Sequence, residues 1–233
     1  MARIWAADGR DLALCARRLP ALEKLRDELL TAHPDRTILV RELDVTDHVA
    51  VDRVFTEVAA ELGGLDRVVA NAGLLSRASV GAGNAENNRV VAETNFLGVL
   101  HQAEAALTLF RAAGAGHLVL VSSVAGLRGM GGRMNVYSAT KAAVATLAEG
   151  IASDLWHSPI NVTAILPGYI ETDMVAGVPQ VKWMVDLKTG SEALVAAMER
   201  EPVRAYVPRR LWGVMSWPMR LLPLAIVRRM SGF

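Results

Sequence analysis

Apolar residues along this chain fall into two alternating patterns. Short, nearly unbroken apolar runs are typical of strands buried on both faces of a sheet, whereas apolar residues spaced three or four apart are typical of helices. The strand-like runs lie at 12–16, 37–43, 65–70, 117–122, 160–166 and 204–208. Helical spacing occupies most of the chain between them. Strands that alternate with helices predict an α/β fold, a three-layer, Rossmann-like, doubly wound parallel sheet with helices on both faces.

The helical stretches have recognisable ends. Residues 1–7 are expected to form the last part of a helix that stops at Asp8-Gly9. A later helix is expected to begin at Thr46 or Asp47, either of which is a suitable N-cap, and to end at Gly63-Gly64. Two longer helices are expected over about 85–113 and 137–157. We expect one domain over 1–233, with the last strand and an apolar, basic tail in 205–233.

Chemically distinctive residues stand where the strand-like runs end. Ligands of a doubly wound sheet bind beyond the carboxyl ends of its strands, so these residues are expected to share one site. A further candidate, Asn95, lies in the middle of a predicted helix, where asparagine is a poor choice unless its side chain has another role. The residues at strand ends are Arg17-Arg18, Asp44-Val45, Asn71-Ala72-Gly73, Ser123 and Pro167-Gly168.

The stretch Tyr137-Ser138-Ala139-Thr140-Lys141 opens one of the long helices. Residues four apart share a helix face, so Tyr137 and Lys141 are expected to present a phenol and an ammonium to the same small volume. A nearby positive charge lowers the pKa of a tyrosine, which suits it to exchange a proton with a substrate oxygen. Ser123, at the end of the preceding strand, is placed to add a hydrogen bond to that oxygen.

The bulk composition excludes several classes of protein. The chain has 233 residues, 52% of them hydrophobic, with a formal net charge of +1, which argues against disorder and against a nucleic-acid partner. The five histidines are scattered, so no metal site is expected. The single cysteine, Cys15, is expected in the core and fits a reducing compartment. The first residues lack a signal-peptide pattern, so we expect a cytoplasmic protein.

Taken together, these motifs resemble the classical short-chain dehydrogenases/reductases. The resemblance covers nearly the whole chain, and it implies reversible hydride transfer between a nicotinamide cofactor and a carbonyl or alcohol carbon. It also implies a homodimer or homotetramer. The residues that carry it are Asp44-Val45, Asn71-Ala72-Gly73, Asn95, Ser123, Tyr137-x-x-x-Lys141 and Pro167-Gly168-Tyr-Ile170-Glu-Thr172.

The resemblance implies a role for each catalytic candidate. Tyr137 gives the proton, Ser123 holds the substrate oxygen, and Lys141 lowers the pKa of Tyr137 and orients the cofactor ribose. Asn95 supports a water chain that carries protons to Lys141. The alternative for Asn95 is a plain surface asparagine.

The resemblance also implies the residues that contact the cofactor. Those expected at the adenine, along the cleft and at the nicotinamide are Asp44, Val45, Asn71, Ala72, Gly73, Pro167, Gly168, Ile170 and Thr172. Plain turns between strand and helix are the alternative interpretation of 44–45 and 71–73.

Arg17 and Arg18 bear on the choice of cofactor. They follow the run 12–16, where the adenosine ribose is expected, and an acidic residue there would bind the ribose hydroxyls of NAD. Two arginines suit the 2′-phosphate of NADP instead, so we expect NADP(H), with NAD less favoured. The alternative is a pair of solvated arginines that begin a helix.

The chain departs from the family pattern in two places. No strand and Gly-rich turn precede residues 1–7, although a dinucleotide fold normally starts with them. A start at an internal methionine of a longer protein is one explanation, and a truncation that weakens cofactor binding is the other. The strands beside the expected first strand would then lack a partner. In addition, the gap from Ser123 to Tyr137 is one residue longer than is usual, which we attribute to an insertion within 128–134.

The substrate side is expected to be partly apolar. Residues 173–188 are expected to form a lid that holds Met174, Val175, Val178, Trp183 and Met184. A lipid-like or keto-acyl substrate is therefore expected.

The tail 211–227 is apolar, interrupted by prolines and flanked by arginines, so it is a poor spanning helix. It is expected either to lie at a membrane interface, with Trp212 and Trp217 at headgroup depth, or to form short helices over the substrate pocket or a subunit contact. A non-catalytic protein that acts by association or at a membrane surface is the rival interpretation of the whole chain.

Overall fold

A computed structural model describes residues 1–75, 78–172, 174 and 183–226 of the chain. The strands of these residues are β1 (Leu12–Ala16), β2 (Ile38–Glu42), β3 (Arg67–Ala70), β4 (Gly116–Val121), β5 (Ile160–Pro167) and β6 (Arg204–Val207). The α-helices are α1 (Ala2–Ala7), α2 (Leu19–Ala32), α3 (His48–Leu62), α4 (Ala85–Ala92), α5 (Gly98–Ala113), α6 (Asn135–Asp154), α7 (Leu187–Met198) and α8 (Arg209–Leu221). A π-helical segment spans Glu93–Leu97 and a 3₁₀ helix spans Val124–Leu127.

The strands are all parallel to their hydrogen-bonded neighbours. In the described residues they form two sheets, one of order β1-β2 and one of order β3-β4-β5-β6. Among the described residues, β1 pairs with β2, and β3 pairs with β4 at one edge of the larger sheet. Parallel strands with helical crossovers confirm the predicted Rossmann-like α/β fold.

Alternate residues of the central strands face different helices. In β4, Leu118 and Leu120 belong to a core that also takes residues from α3, α5 and α6. Val119, which lies between them, packs with Met198 at the end of α7 on the opposite face. This two-residue period produces the three layers, because every strand residue must be covered on one face or the other.

The long helix predicted over 85–113 is interrupted. Helices α4 and α5 are joined by the π-helical segment, and Asn95 lies within it. A π-helical turn re-aims side chains relative to a continuous α-helix, and such turns are frequent at functional sites. Helix α3 begins as expected, since the carboxylate of Asp47 accepts a hydrogen bond from the backbone N–H of Ala50 at 3.0 Å.

One expectation about the core is wrong. Cys15 is exposed, although its apolar neighbours in the sequence predicted a buried thiol. Side chains alternate between the two faces of a strand, so an apolar run does not bury every member of it.

Candidate active site

Helix α6 brings the tyrosine and the lysine to the carboxyl ends of the central strands. The ammonium nitrogen of Lys141 lies 6.0 Å from the centre of the Tyr137 ring, as the four-residue spacing predicts. Both side chains are buried, and Lys141 is only 4% exposed. Its Nζ donates a hydrogen bond to the carbonyl oxygen of Val121, the last residue of β4, at 2.8 Å. The lysine is therefore fixed between the helix and the strand end.

The two serines after β4 have different roles. The hydroxyl of Ser122 donates to the backbone carbonyl of Lys141 at 2.6 Å, which ties the strand end to α6. Ser123 lies beside Tyr137, where it acts to lower the pKa of the phenol, and its hydroxyl accepts the N–H of Ala125 at 3.1 Å, thereby capping the 3₁₀ helix. The same hydroxyl lies 3.5 Å from the carbonyl oxygen of Pro167. Of the two serines, Ser123 is the one that acts on the pKa of Tyr137, whereas Ser122 binds the backbone of α6.

The loop from 128 to 134, where the sequence predicts an insertion, connects the 3₁₀ helix to α6. Arg133 has a φ of 66°, and Gly132 has one of 63°. The loop folds back onto the start of α6, where the backbone N–H of Met130 donates to the hydroxyl of Ser138 at 3.2 Å. The loop is therefore fixed against the first turn of α6.

Asn95 connects two parts of the site. It has no exposed surface, and its Oδ1 accepts the backbone N–H of Leu74 at 2.7 Å, while its Nδ2 donates to the carbonyl of Leu74 at 2.9 Å. The same Nδ2 approaches the Thr140 hydroxyl at 3.4 Å. A surface asparagine is therefore excluded. Asn95 fixes the segment after β3 against α6.

Gly73 lies against both Lys141 and Asn95. A Cβ at residue 73 would stand 3.3 Å from the ammonium nitrogen of Lys141 and 3.4 Å from Oδ1 of Asn95. The glycine lets the backbone after β3 approach these two polar atoms. Asn71 and Ala72 precede it directly at the end of β3, so the predicted Asn-Ala-Gly motif, Asn95 and Lys141 meet in one place.

Burial dominates the electrostatics of the pair. It raises the pKa of Tyr137 above its ordinary value, against the opposing effect of the hydrogen bond from Ser123. Burial also lowers the pKa of Lys141 to about 8. Lys141 is not among the causes of the shift in the pKa of Tyr137, which is raised and not lowered because removal from water disfavours the charged phenolate. Tyr137 is a protonated acid at neutral pH.

The residues predicted to contact the adenosine part of a cofactor lie at the ends of β1 and β2. Arg17 and Arg18 are both exposed. The positive charge of Arg17 helps to lower the pKa of the Asp44 carboxyl, although the larger cause is a hydrogen bond from the backbone N–H of Thr46. Val45 packs against the start of α5, where a Cβ at Gly98 would lie 2.6 Å from its Cγ2. These strand ends are thus brought together.

The Pro167-Gly168 motif leaves β5 beneath Trp212, which belongs to the tail that one of the two sequence interpretations places over the substrate pocket. The indole of Trp212, on α8, covers Gly168, and its ring centre lies 6.0 Å from that of Tyr169 and 6.3 Å from that of Trp183. Trp212 is 4% exposed, so its predicted place at headgroup depth is wrong. The only sequence signal for its inward position is the spacing of Leu211, Trp212, Met215 and Met219.

The rest of the predicted nicotinamide and lid region is described in part. Ile170 is buried and makes an isolated parallel bridge with Val185, and Thr172 is exposed. Met174 and Trp183 are both partly exposed. Residues 173 and 175–182, including Val175 and Val178, lie outside the described residues. Of the residues expected in the lid, Met174, Trp183 and Met184 lie within the described part of the chain.

Comparisons with known proteins agree with this arrangement. A family model for short chain dehydrogenase matches residues 1–182. An uncharacterized oxidoreductase of Mycobacterium tuberculosis (strain H37Rv) is 47% identical over 231 residues, which cover 99% of this chain and 91% of that protein. The 3-oxoacyl-(acyl-carrier-protein) reductase of the same organism is 36% identical over 133 residues, which cover 57% of this chain and 53% of that reductase.

A solved structure has the same architecture. The alcohol dehydrogenase of the archaeon Thermococcus sibiricus, complexed with 5-hydroxy-NADP, superposes with a TM-score of 0.77 at 25% identity, covering 88% of each chain. The fold and these matches define an oxidoreductase with a Rossmann-like α/β sheet. More particularly, the chain belongs to the short-chain dehydrogenase/reductase family, as the sequence resemblance predicts.

Proposed function

We propose that this protein is an NADP(H)-dependent oxidoreductase that interconverts a carbonyl and an alcohol, with carbonyl reduction as its main direction. The observation that carries the proposal is the convergence of Tyr137, Ser123, Lys141 and Asn95 at the carboxyl ends of β3 and β4. Ser123 lies beside Tyr137, and Lys141 lies near both the Tyr137 ring and the side-chain oxygen of Asn95. A nicotinamide, when bound, supplies or accepts the hydride.

The side chains of the site bind the substrate oxygen and supply its proton. In reduction, Tyr137 donates its hydroxyl proton to the substrate oxygen, since the phenol is protonated at neutral pH. Ser123 donates a second hydrogen bond to the same oxygen. Lys141, whose pKa of about 8 leaves it mostly charged at pH 7, provides the next proton. Asn95 holds the loop after β3 in position beside the lysine.

The residues at the strand ends are suited to bind NADP, including its 2′-phosphate. Arg17 and Arg18 are exposed at the end of β1, where charge-assisted hydrogen bonds to a 2′-phosphate are available to both guanidinium groups. Asp44 and Val45 follow β2 and would flank the adenine. The backbone at Asn71, Ala72 and Gly73 would line the cleft, and Pro167, Gly168, Ile170 and Thr172 would surround the nicotinamide. The related alcohol dehydrogenase, solved with 5-hydroxy-NADP, supports the choice of NADP.

A substrate with an apolar portion fits the surroundings of the site. Tyr169, Trp183 and Trp212 form an aromatic cluster next to Gly168. The 3-oxoacyl reductase among the relatives makes a keto-acyl or lipid-like carbonyl the substrate class we propose. We further propose a single cytoplasmic NADP-binding domain that assembles as a homodimer or homotetramer.

The test compares Tyr137→Phe with the wild type, in carbonyl reduction and in NADPH binding. Loss of the hydroxyl should lower kcat by about 10²–10⁴ and leave the NADPH dissociation constant nearly unchanged, because a general acid acts only in the chemical step. Tyr206→Phe on β6 is the matched control and should retain activity. Near wild-type reduction by Tyr137→Phe would refute the mechanism. Absence of NADPH binding by both proteins would favour the non-catalytic alternative.

A further inference from the structure

Helix α8 has two apolar faces, and only one of them is covered. Its inward face carries Trp212, which is buried, together with Met215 and Met219, which pack against the main core. On the opposite face stand Val214, Trp217 and Leu221, spaced by three and four residues. They are 70%, 73% and 74% exposed. A surface helix normally turns polar side chains to the solvent, so this outward face is exceptional.

The charged residues in and beside α8 along the chain are all positive. Residues 202–226 contain four arginines and no acidic residue. Of these arginines, Arg204 is paired with Glu149 at 2.7 Å, while Arg209, Arg210 and Arg220 are exposed on α8 itself. Arg210 lies one turn before Val214 on the same stripe, and Arg220 lies beside Trp217. The outward face therefore combines a short apolar stripe with positive charge at both of its ends.

We propose that the outward face of α8 binds the surface of an anionic lipid bilayer. A helix that lies in the plane of a membrane buries an apolar stripe just below the headgroups, and its basic residues pair with anionic lipids. Trp217 suits this position because tryptophan is enriched at membrane interfaces. Among the helices that the structure describes, none is long and apolar enough to cross a bilayer, so the contact proposed is peripheral.

A second copy of the chain fits this face less well. A stable interface takes roughly 20–30 residues from each partner, whereas the outward stripe consists of three side chains, followed along the chain by the exposed Leu224 and Ile226. A twofold contact would also bring identical patches together. Arg210 and Arg220 would then face arginines, with no acidic residue of α8 to pair with them.

The helix is held in place before it meets any lipid. The guanidinium of Arg128 donates to the carbonyls of Met219 and Arg220, both at 3.3 Å, and also to that of Leu222. These bonds satisfy carbonyls at the end of α8, which have no partner within the helix. Since α8 is already folded and fixed, little ordering would accompany binding, which favours affinity. The proposal concerns binding only and does not depend on the proposed catalysis.

The experiment is flotation of the full-length protein with vesicles of phosphatidylcholine alone and of phosphatidylcholine mixed with phosphatidylglycerol. The wild type should float with the anionic vesicles and much less with the neutral ones. Trp217→Ser should raise the lipid concentration for half-binding by about tenfold or more, since it removes a large apolar side chain from the contact. Arg210→Gln should raise it about fivefold.

Trp156→Ser is the matched control. Trp156 is 70% exposed, almost as much as Trp217, but it follows α6 rather than lying on α8, and its loss should leave flotation unchanged. Equal flotation of Trp217→Ser and wild type would overturn the proposal, as would equal binding to neutral and anionic vesicles. If the wild type failed to float and light scattering showed an oligomer that Trp217→Ser dissociates, the outward face would be a contact between copies.

Discussion

The indole Nε1 of Trp212 lies 1.8 Å from the position that a Cβ on residue 168 would occupy. Real Cβ atoms do not approach other atoms so closely, so the tryptophan on α8 and the glycine at the end of β5 fit only as a pair. The same Nε1 is buried, and among the described residues it has no hydrogen-bond partner. Contact with the glycine backbone, rather than a hydrogen bond, therefore positions the indole beside the candidate site.

Gly168→Ala should destabilise the protein by about 1–3 kcal/mol, because overpacking forces either the indole or the strand end to move. In the background of Trp212→Leu, which removes the obstructing ring, the same glycine substitution should cost clearly less. Urea unfolding of the wild type, both single variants and the double variant measures this coupling.

Gly150→Ala serves as the control for that cycle. Gly150 lies on α6 with no atom within 4 Å of its would-be Cβ. Alanine there should stabilise the helix by about 0.5–1 kcal/mol. Additive effects of the substitutions at 168 and 212 would show that the two residues do not constrain each other.

Asn95→Ala should cost about 1–3 kcal/mol of stability or more, because it leaves the backbone N–H of Leu74 and its carbonyl without their buried partner. The loop after β3 should also become more accessible, which amide hydrogen exchange at residue 74 would report. Asn87→Ala, on the exposed part of α4, is the control and should change neither quantity. Unchanged protection at Leu74 would mean that Asn95 does not position this loop.

The sequence predicts the strand ends of the site well for a physical reason. Parallel strands buried on both faces must be nearly continuous apolar runs, so a polar residue directly after such a run, such as Asn71 after β3 or Ser122 after β4, marks the end of the strand. The spacing of Tyr137 and Lys141 then fixes their common face, because helix geometry leaves no alternative. These features depend only on neighbours close in sequence.

Features that depend on distant parts of the chain are not visible in the sequence. Trp212 lies over Gly168 because α8 returns across the end of β5. The residues of α8 alone do not specify which strand end the helix packs against. The direction of the pKa shift of Tyr137 depends on how completely the fold excludes water, which the residue spacing does not contain. The exposure of Cys15 has a similar origin, because an apolar run in the sequence does not specify what packs against each residue of the strand.

His117, at the end of the sheet opposite to the candidate site, is expected to make stability depend on pH. In β4, the Nδ1 of His117 accepts a hydrogen bond from Nε of Arg67 at 2.8 Å and lies 3.3 Å from Oε1 of Glu201, while its Nε2 lies 2.9 Å from the hydroxyl of Thr163. Burial lowers the pKa of His117 to about 4, although Glu201 acts in the opposite direction. The histidine is thus neutral in the folded protein.

Between pH of about 4 and 6.5, the unfolded chain binds a proton at His117 that the folded protein does not bind. Stability from this group is therefore complete above pH of about 6.5 and is lost as the pH falls, by up to about 3 kcal/mol. The free energy of unfolding, measured with urea from pH 7 down to pH 4, should depend less on pH for His117→Gln than for the wild type.

His157→Gln, at an exposed histidine after α6, is the control and should show the pH dependence of the wild type. Identical slopes for all three proteins would exclude His117 as the source.

Cofactor choice is expected to reside in the two arginines after β1. Each guanidinium that binds a 2′-phosphate contributes a charge-assisted hydrogen bond, and such bonds contribute about 1.5–3 kcal/mol. Replacing Arg17 and Arg18 together with serine should therefore raise the dissociation constant for NADPH by about 10²-fold or more, while that for NADH changes little, because NADH lacks the phosphate. Fluorescence titration with each dinucleotide measures both constants.

Lys24→Ser is the control, because it removes an exposed positive charge from α2 and leaves the strand end unchanged. It therefore separates local recognition of the phosphate from an effect of net charge. A parallel loss of NADH affinity in the double variant would show that the arginines stabilise the site as a whole and do not select the phosphate.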